Sequence, residues 1–270
     1  MEYDFDNWDG INVPLMEYTY SGEPYPKDVS LYHPDILHIL SKKTLLISKE
    51  ELAYILSLPE VDVRNDLHNL IYWQLGTSSN SNIIGNCMMC LLQAGTQQDT
   101  LPVVLEVLRQ NEEFRKFHFD GLEREYIQPF LYKYCKDNPE LLLPFLLEPG
   151  LNTWFKTLVL EVLAIIANLY YPSREKMHSL FERLISAYKS DLYSSKRQIC
   201  DGEVVGFALL IPIALWAEEY LPLIEELNNS GLMDYGITGK MYFIRRDIKK
   251  HKVFYTKPFE NSYDFLALKR

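Results

Sequence analysis

Apolar residues recur at helical spacing almost without interruption from residue 33 to about residue 251, and no stretch sustains the two-residue alternation of a strand. The pattern is clearest over 173–189. There Met177, Leu180, Phe181, Leu184, Ile185 and Tyr188 form one stripe, while Arg174, Lys176, Glu182 and Arg183 fall elsewhere, as on an amphipathic surface helix. The segment before it differs. Over 153–169, Trp154, Phe155, Leu158, Val159, Leu160, Val162, Leu163, Ile165, Ile166 and Leu169 surround nearly the whole circumference, so that helix must be covered on more than one side. The contrast repeats: 83–94 and 203–217 are broadly apolar, whereas 102–110 and 222–229 are amphipathic. The expected helices lie near 34–42, 49–58, 62–75, 83–94, 99–110, 120–135, 138–147, 153–169, 173–190, 201–217, 219–230 and 238–251.

This alternation has a period. Leu101-Pro102, Leu143-Pro144 and Leu221-Pro222 each stand at or near the start of a short helix, where the N–H that proline lacks had no helical partner. They are 42 and 78 residues apart, and 78 is twice 39. Asp120-Gly121 and Asp201-Gly202 open two of the longer helices, each with an N-cap carboxylate before Glu123 or Glu203 and a later proline, Pro129 or Pro212, expected to kink it. A helix pair returning every ~40 residues, one member buried and one amphipathic, is the pattern of HEAT-type repeats. A single pair cannot close its own core; stacked neighbours do. The expected fold is an all-α, HEAT-like superhelix (α-solenoid) of roughly five helix pairs. It occupies 31–252, between an acidic, aromatic N-terminal arm over 1–30 and a C-terminal capping segment over 253–270.

From residue 100 to about 234 the chain resembles an uncharacterised bacterial domain-of-unknown-function family of HEAT-like, all-helical proteins. The resemblance is carried by 118–124 (His-Phe-Asp-Gly-Leu-Glu-Arg), by 154–163 (Trp-Phe-Lys-Thr-Leu-Val-Leu-Glu-Val-Leu), and by 220–224 with 231–234 (Tyr-Leu-Pro-Leu-Ile and Gly-Leu-Met-Asp). These are mostly caps and core positions, so the resemblance implies a fold and carries no activity. Some members of that family end in a SEC-C zinc motif. This chain has no Cys-rich C-terminal motif, so no zinc role is transferred.

Charge narrows the function classes. Twenty-seven basic against 37 acidic residues leave a net charge of −10, which disfavours general affinity for nucleic acid or anionic lipid. Four cysteines in 270 residues do not make a disulfide framework. No basic residue precedes Lys27, no signal-like apolar stretch opens the sequence, and the longest apolar run, 204–217, is interrupted by Gly206 and Pro212. The expectation is a cytoplasmic protein without a membrane segment.

Three constellations invite chemistry. Cys87 and Cys90 form a CxxC, but mid-helix, without a second ligand pair, so they read as core thiols. His118, Asp120 and Glu123 begin one inner helix, and Asp201 and Glu203 another; as a set they could serve acid–base or cation-binding chemistry, although the spacing also fits helix capping. Arg245, Arg246, Lys249 and Lys250 lie across a helix from Met241, Ile244 and Ile248. With their neighbours they make 240–257 net +6, against −6 for the first 26 residues, so the arm is expected to fold back toward this helix or to meet it between subunits. No phosphate loop, nucleophile elbow or metalloprotease motif is present, and no catalytic residue, metal or cofactor is assigned.

The reading that follows is a non-enzymatic α-solenoid that binds a protein or peptide partner on its concave surface. The alternative is a metal-dependent or acid–base hydrolase built on the acidic helix starts. A nucleic-acid-binding solenoid using the basic helix is disfavoured by the charge.

Overall fold

The computed structural model describes residues 24–42, 47–119, 121–233 and 235–253. Every regular element among them is helical, and no strand occurs. The described residues form two compact units that part between Tyr134 and Cys135.

The first unit carries α1 (Asp35–Leu40), α2 (Lys49–Ser57), α3 (Glu60–Thr77), α4 (Asn82–Ala94), α5 (Gln97–Leu108), α6 (Glu112–Phe119) and α7 (Glu123–Cys135). Side chains set several of the starts. Ser48 opens α2 with a reciprocal capping box: its hydroxyl accepts from the Glu51 N–H at 3.1 Å while the Glu51 carboxylate accepts from the Ser48 N–H at 2.8 Å. Thr96 caps α5 through the Asp99 N–H. Helix α3 packs on α2, α4 and α5, and α4 also meets α1, α2 and α6. Each of these central helices therefore touches its neighbour and its next-but-one neighbour. Along α3 runs the segment 24–33: the Trp73 indole donates to the Lys27 carbonyl at 3.0 Å, and fully buried Asp66 accepts from the Tyr32 and His33 N–H groups. Part of the N-terminal arm is thus docked; residues 1–23 lie outside the described residues.

The second unit carries α8 (Leu143–Leu147), α9 (Thr153–Leu169), α10 (Arg174–Leu192), α11 (Gly202–Ala208), α12 (Leu210–Ala214), α13 (Leu221–Asn229), α14 (Tyr235–Thr238) and α15 (Met241–Lys249). Short 3-10 turns at Pro139–Leu142, Tyr171–Ser173 and Glu218–Tyr220 precede α8, α10 and α13. Helix α9 is the apolar-all-round segment, and it is buried from Phe155 to Ala167 except at Glu161, against α8, α10, α11 and α12. Helix α10 buries the stripe Met177, Leu180, Phe181, Leu184, Ile185 and Tyr188 and leaves its charged face out.

One hydrogen-bond rule recurs in both units. The last carbonyls of a helix have no partner inside it. Here they accept from side chains some forty positions away, further on in three cases and earlier in the fourth. The carbonyls of Leu40, Ser41 and Lys42, at the end of α1, accept from Asn86, Asn80 and Asn82. Those of Leu92 and Gly95, at the end of α4, accept from Lys133 and Tyr134. The Lys136 and Asp137 carbonyls after α7 accept from Ser173 and Lys176. At the end of α12, Ala214 and Leu215 accept from Asn168 and Arg174.

Several local expectations are corrected. Helix α6 was not foreseen; its eight residues turn only Phe114, His118 and Phe119 inward, too few to register as a stripe. Helix α7 begins at Glu123, three positions later than expected, and runs unbroken past Pro129. The 201–217 helix breaks at Leu209, because Pro212 offers no N–H to the Ala208 carbonyl one turn earlier. Pro102 lies inside α5 rather than at its start. Except for Val253, the capping segment 253–270 falls outside the described residues.

Candidate functional site

Helix α15 follows Gly239, whose positive φ of 81° turns the chain, and extended Lys240. Ile244 and Ile248 are buried where α15 meets α12, α13 and the Glu218–Tyr220 turn. Its outer face is unusual. Tyr242 is 72% exposed and Phe243 45%, their rings edge-on with centroids 5.5 Å apart. Arg246 lies over the Phe243 ring at 4.9 Å. The basic residues are not equivalent. Arg245 pairs with Glu225 at 2.8 Å, and Asp247, mostly buried, receives Arg246 and Lys252 at 2.8 and 3.1 Å. Those cations hold the Asp247 carboxyl below its ordinary range, against the opposing push of burial. Lys249 and Lys250 are exposed and pair with no carboxylate among the described residues. Trp216, in the left-handed region at φ 54°, stacks on His251 and donates its indole N–H to the Lys252 carbonyl at 2.9 Å, which pins the end of the helix.

The acidic helix starts do structural work. Asp201 caps α11: its carboxylate accepts from the Val204 N–H at 2.8 Å and from the Thr153 hydroxyl at 2.6 Å. Glu203 is exposed at the first turn of the same helix. Glu123 is fully buried, and Arg115 bridges it to Glu112. Its second oxygen, Oε2, is sealed without a partner. The Arg115 hydrogen bond pulls the Glu112 pKa down to about 2. His118 is 5% exposed between the rings of Phe114 and Phe117, its Nε2 3.4 Å from the Ser78 hydroxyl. Burial pushes its pKa down to about 4, so the imidazole is neutral at physiological pH. Asp120 lies outside the described residues, so a His118–Asp120 pair cannot be placed. The His118 and Glu123 start belongs to the first unit, the Asp201 and Glu203 start to the second. Among the described residues no group of three or more His, Cys, Asp and Glu side chains is gathered for a metal ion. Cys87 and Cys90 are fully buried on α4, and burial raises both thiols, Cys90 to about 12.

Sequence reasoning missed a buried polar node. Lys156 is 1% exposed, and its ammonium donates to the Glu148 and Ile199 carbonyls, both at 2.6 Å. Desolvation lowers its pKa to about 8. The 198–200 stretch it grips is held from the other side by Asp191, whose carboxylate accepts from the N–H groups of Gln198, Ile199 and Cys200. A signal did exist: a lysine on a helix apolar all round has no solvent face to occupy.

The chain matches no family model, no curated protein and no solved structure in the comparisons made. No single helix among the described residues is long and apolar enough to cross a membrane.

Proposed function

We propose that each unit is built of stacked helix pairs of the HEAT-like solenoid type, and that the protein is a non-enzymatic scaffold that binds an acidic protein or peptide partner. The forty-residue spacing of the inter-helix hydrogen bonds supports the architecture, since side chains of one helix pair there cap open carbonyls of an adjacent pair. The contacts of α3 and α4 with next-but-one helices point the same way. The resemblance of 100–234 to a HEAT-like family of unestablished activity agrees with this reading.

The outer face of α15 carries the binding proposal. Two large aromatic side chains stand exposed beside Lys249 and Lys250, whose charges are not spent on carboxylates among the described residues. Rigid aromatic area next to unneutralised cations suits recognition of an acidic, apolar-studded surface. By contrast, the acidic starts are occupied as caps and ion pairs, so the hydrolase alternative has less to stand on. The test is a quantitative pulldown from the native cell with wild type and with a Tyr242→Ala/Phe243→Ala/Lys249→Glu/Lys250→Glu variant. Specific partners should be retained by the wild type and lost from the variant. Partners retained equally by both would refute α15 as the binding face.

A further inference from the structure

In the first unit the segment 24–33 lies along α3 without regular secondary structure, and side chains of the helix hold it by its backbone. The strap runs opposite to the helix. The Trp73 indole donates to the Lys27 carbonyl at 3.0 Å and the Asn69 amide to the Ser30 carbonyl at 3.3 Å. Asp66 then accepts from the N–H groups of Tyr32 and His33 at 2.7 and 2.9 Å. Gly76 completes the row: a β-carbon there would stand 2.4 Å from the Pro26 carbonyl oxygen, so glycine is what lets the strap lie this close. Positions 66, 69, 73 and 76 share one stripe of α3. The Tyr25 hydroxyl reaches α5, donating to the Glu106 carboxylate and accepting from the Gln110 amide at 2.9 Å. No residue of 24–33 is buried, and Tyr32 is 65% exposed, so the strap adds little to the core beneath it.

We infer that the face formed by α3 and α5 is a peptide-binding track, that 24–33 is its displaceable resident, and that the partner it accepts in trans is an irregular peptide segment with a Tyr-Pro pair at its N-terminal end. The chemistry of the partner follows from the resident already seated there. Bonds to carbonyls and N–H groups are indifferent to side chains, so Asp66, Asn69 and Trp73 hold any chain that follows the same path. Selectivity falls to Glu106 and Gln110, which together read a phenol hydroxyl as donor and as acceptor. The proline after the tyrosine fixes the backbone where it crosses Gly76, which lowers the cost of ordering the segment. Only Pro34 separates the strap from α1, so the resident competes at an effective concentration in the millimolar range. A free peptide must therefore displace it. The track belongs to the first unit and does not depend on the reading of α15 as a binding face.

The probe is a fluorescein-labelled synthetic peptide with the sequence of residues 24–33, and the readout is its anisotropy against the full chain. Wild type should bind it weakly, because the tethered strap holds the track. Tyr25→Ala in the full chain changes a half-buried strap position outside the core and should tighten binding by about tenfold or more, as the resident loses its anchor on α5. Adding Gly76→Ala should remove that gain, since the new β-carbon takes the place of the Pro26 carbonyl while alanine favours the helix, so α3 itself is kept. Trp73→Phe, which deletes the indole N–H and keeps an aromatic ring, should weaken binding to the Tyr25→Ala chain by about threefold or more. A peptide carrying Tyr25→Phe should bind that chain about tenfold less tightly than its parent. Tyr25→Ala protein that binds no tighter than wild type, binding that survives both Gly76→Ala and Trp73→Phe, or a Tyr25→Phe peptide as good as its parent would each overturn the inference. Partners kept or lost by the α15 variant bear on the other reading alone.

Discussion

Lys156 shows how much one side chain can set. Its ammonium joins the carbonyl ends of two loops, Glu148 and Ile199, from a helix with no polar face. Because its folded pKa, about 8, lies below the ordinary lysine value of 10.5, the folded state sheds the proton first. Below pH 8 both states are charged and the fold bears the full desolvation cost; that cost fades as pH rises from 8 toward 10.5. Relative to Lys156→Met, the wild type should therefore gain about 2 kcal/mol of stability between pH 7 and 9.5, measured by urea unfolding of both proteins at each pH. The comparison matters because the thiols act with opposite sign. Cys87, Cys90, Cys135 and Cys200 are all buried and their pKa values raised, so their contribution is complete below the unfolded thiol value near 9 and declines above it. Those thiols should also resist alkylation. With Cys90 moved from 9 to about 12, its thiolate fraction drops on the order of 1,000-fold, and iodoacetamide labelling at pH 8 should proceed only through unfolding. Rapid labelling of the native protein would contradict the burial. The core placement of the CxxC was legible because its helix is apolar throughout. The burial of His118 was not, since its two aromatic neighbours Phe114 and Phe117 sit on a helix too short to announce itself.

Helix boundaries followed their caps closely where a capping side chain was present. Asp201 was readable as the start of α11 because an acidic cap three residues before an apolar run leaves a recognisable trace. Asp201→Ala should cost about 1–2 kcal/mol in urea unfolding through loss of the Val204 N–H bond, with the Thr153 hydroxyl left unpaired as well. A fully active cap in Asp201→Asn would be consistent with capping and would argue against a required negative charge. Neighbouring Gly202 is constrained for a different reason. A β-carbon there would sit 2.4 Å from the Leu232 carbonyl oxygen, so Gly202→Ala should force the 230–233 segment away from α11 at a cost of roughly 1–3 kcal/mol. No sequence pattern announces such an approach, because the touching backbone is thirty positions away. The prolines teach a related lesson. Pro212 breaks its segment while Pro129 does not, although both looked alike in the sequence; whether a lost N–H ends a helix depends on what else holds that turn.

At the scale of the chain, a net charge of −10 is offset at only one concentrated place, α15 and the residues after it. Retention on heparin should accordingly fail at or below about 0.15 M salt, and tight retention there would revive nucleic-acid binding. The all-helical class was visible in advance because it arises from residues that face the core. The hydrogen bonds between helices about forty positions apart were not, because asparagines, lysines and tyrosines that cap a distant carbonyl look, in sequence, like any surface residue. Their arrangement has an evolutionary corollary. If, as proposed, the helix pairs stack and the donors for one pair's open carbonyls come from an adjacent pair, copying or deleting a whole period leaves every remaining seam intact, whereas losing a few residues throws all later seams out of step. Such a chain should change length in whole strides and tolerate partial ones poorly.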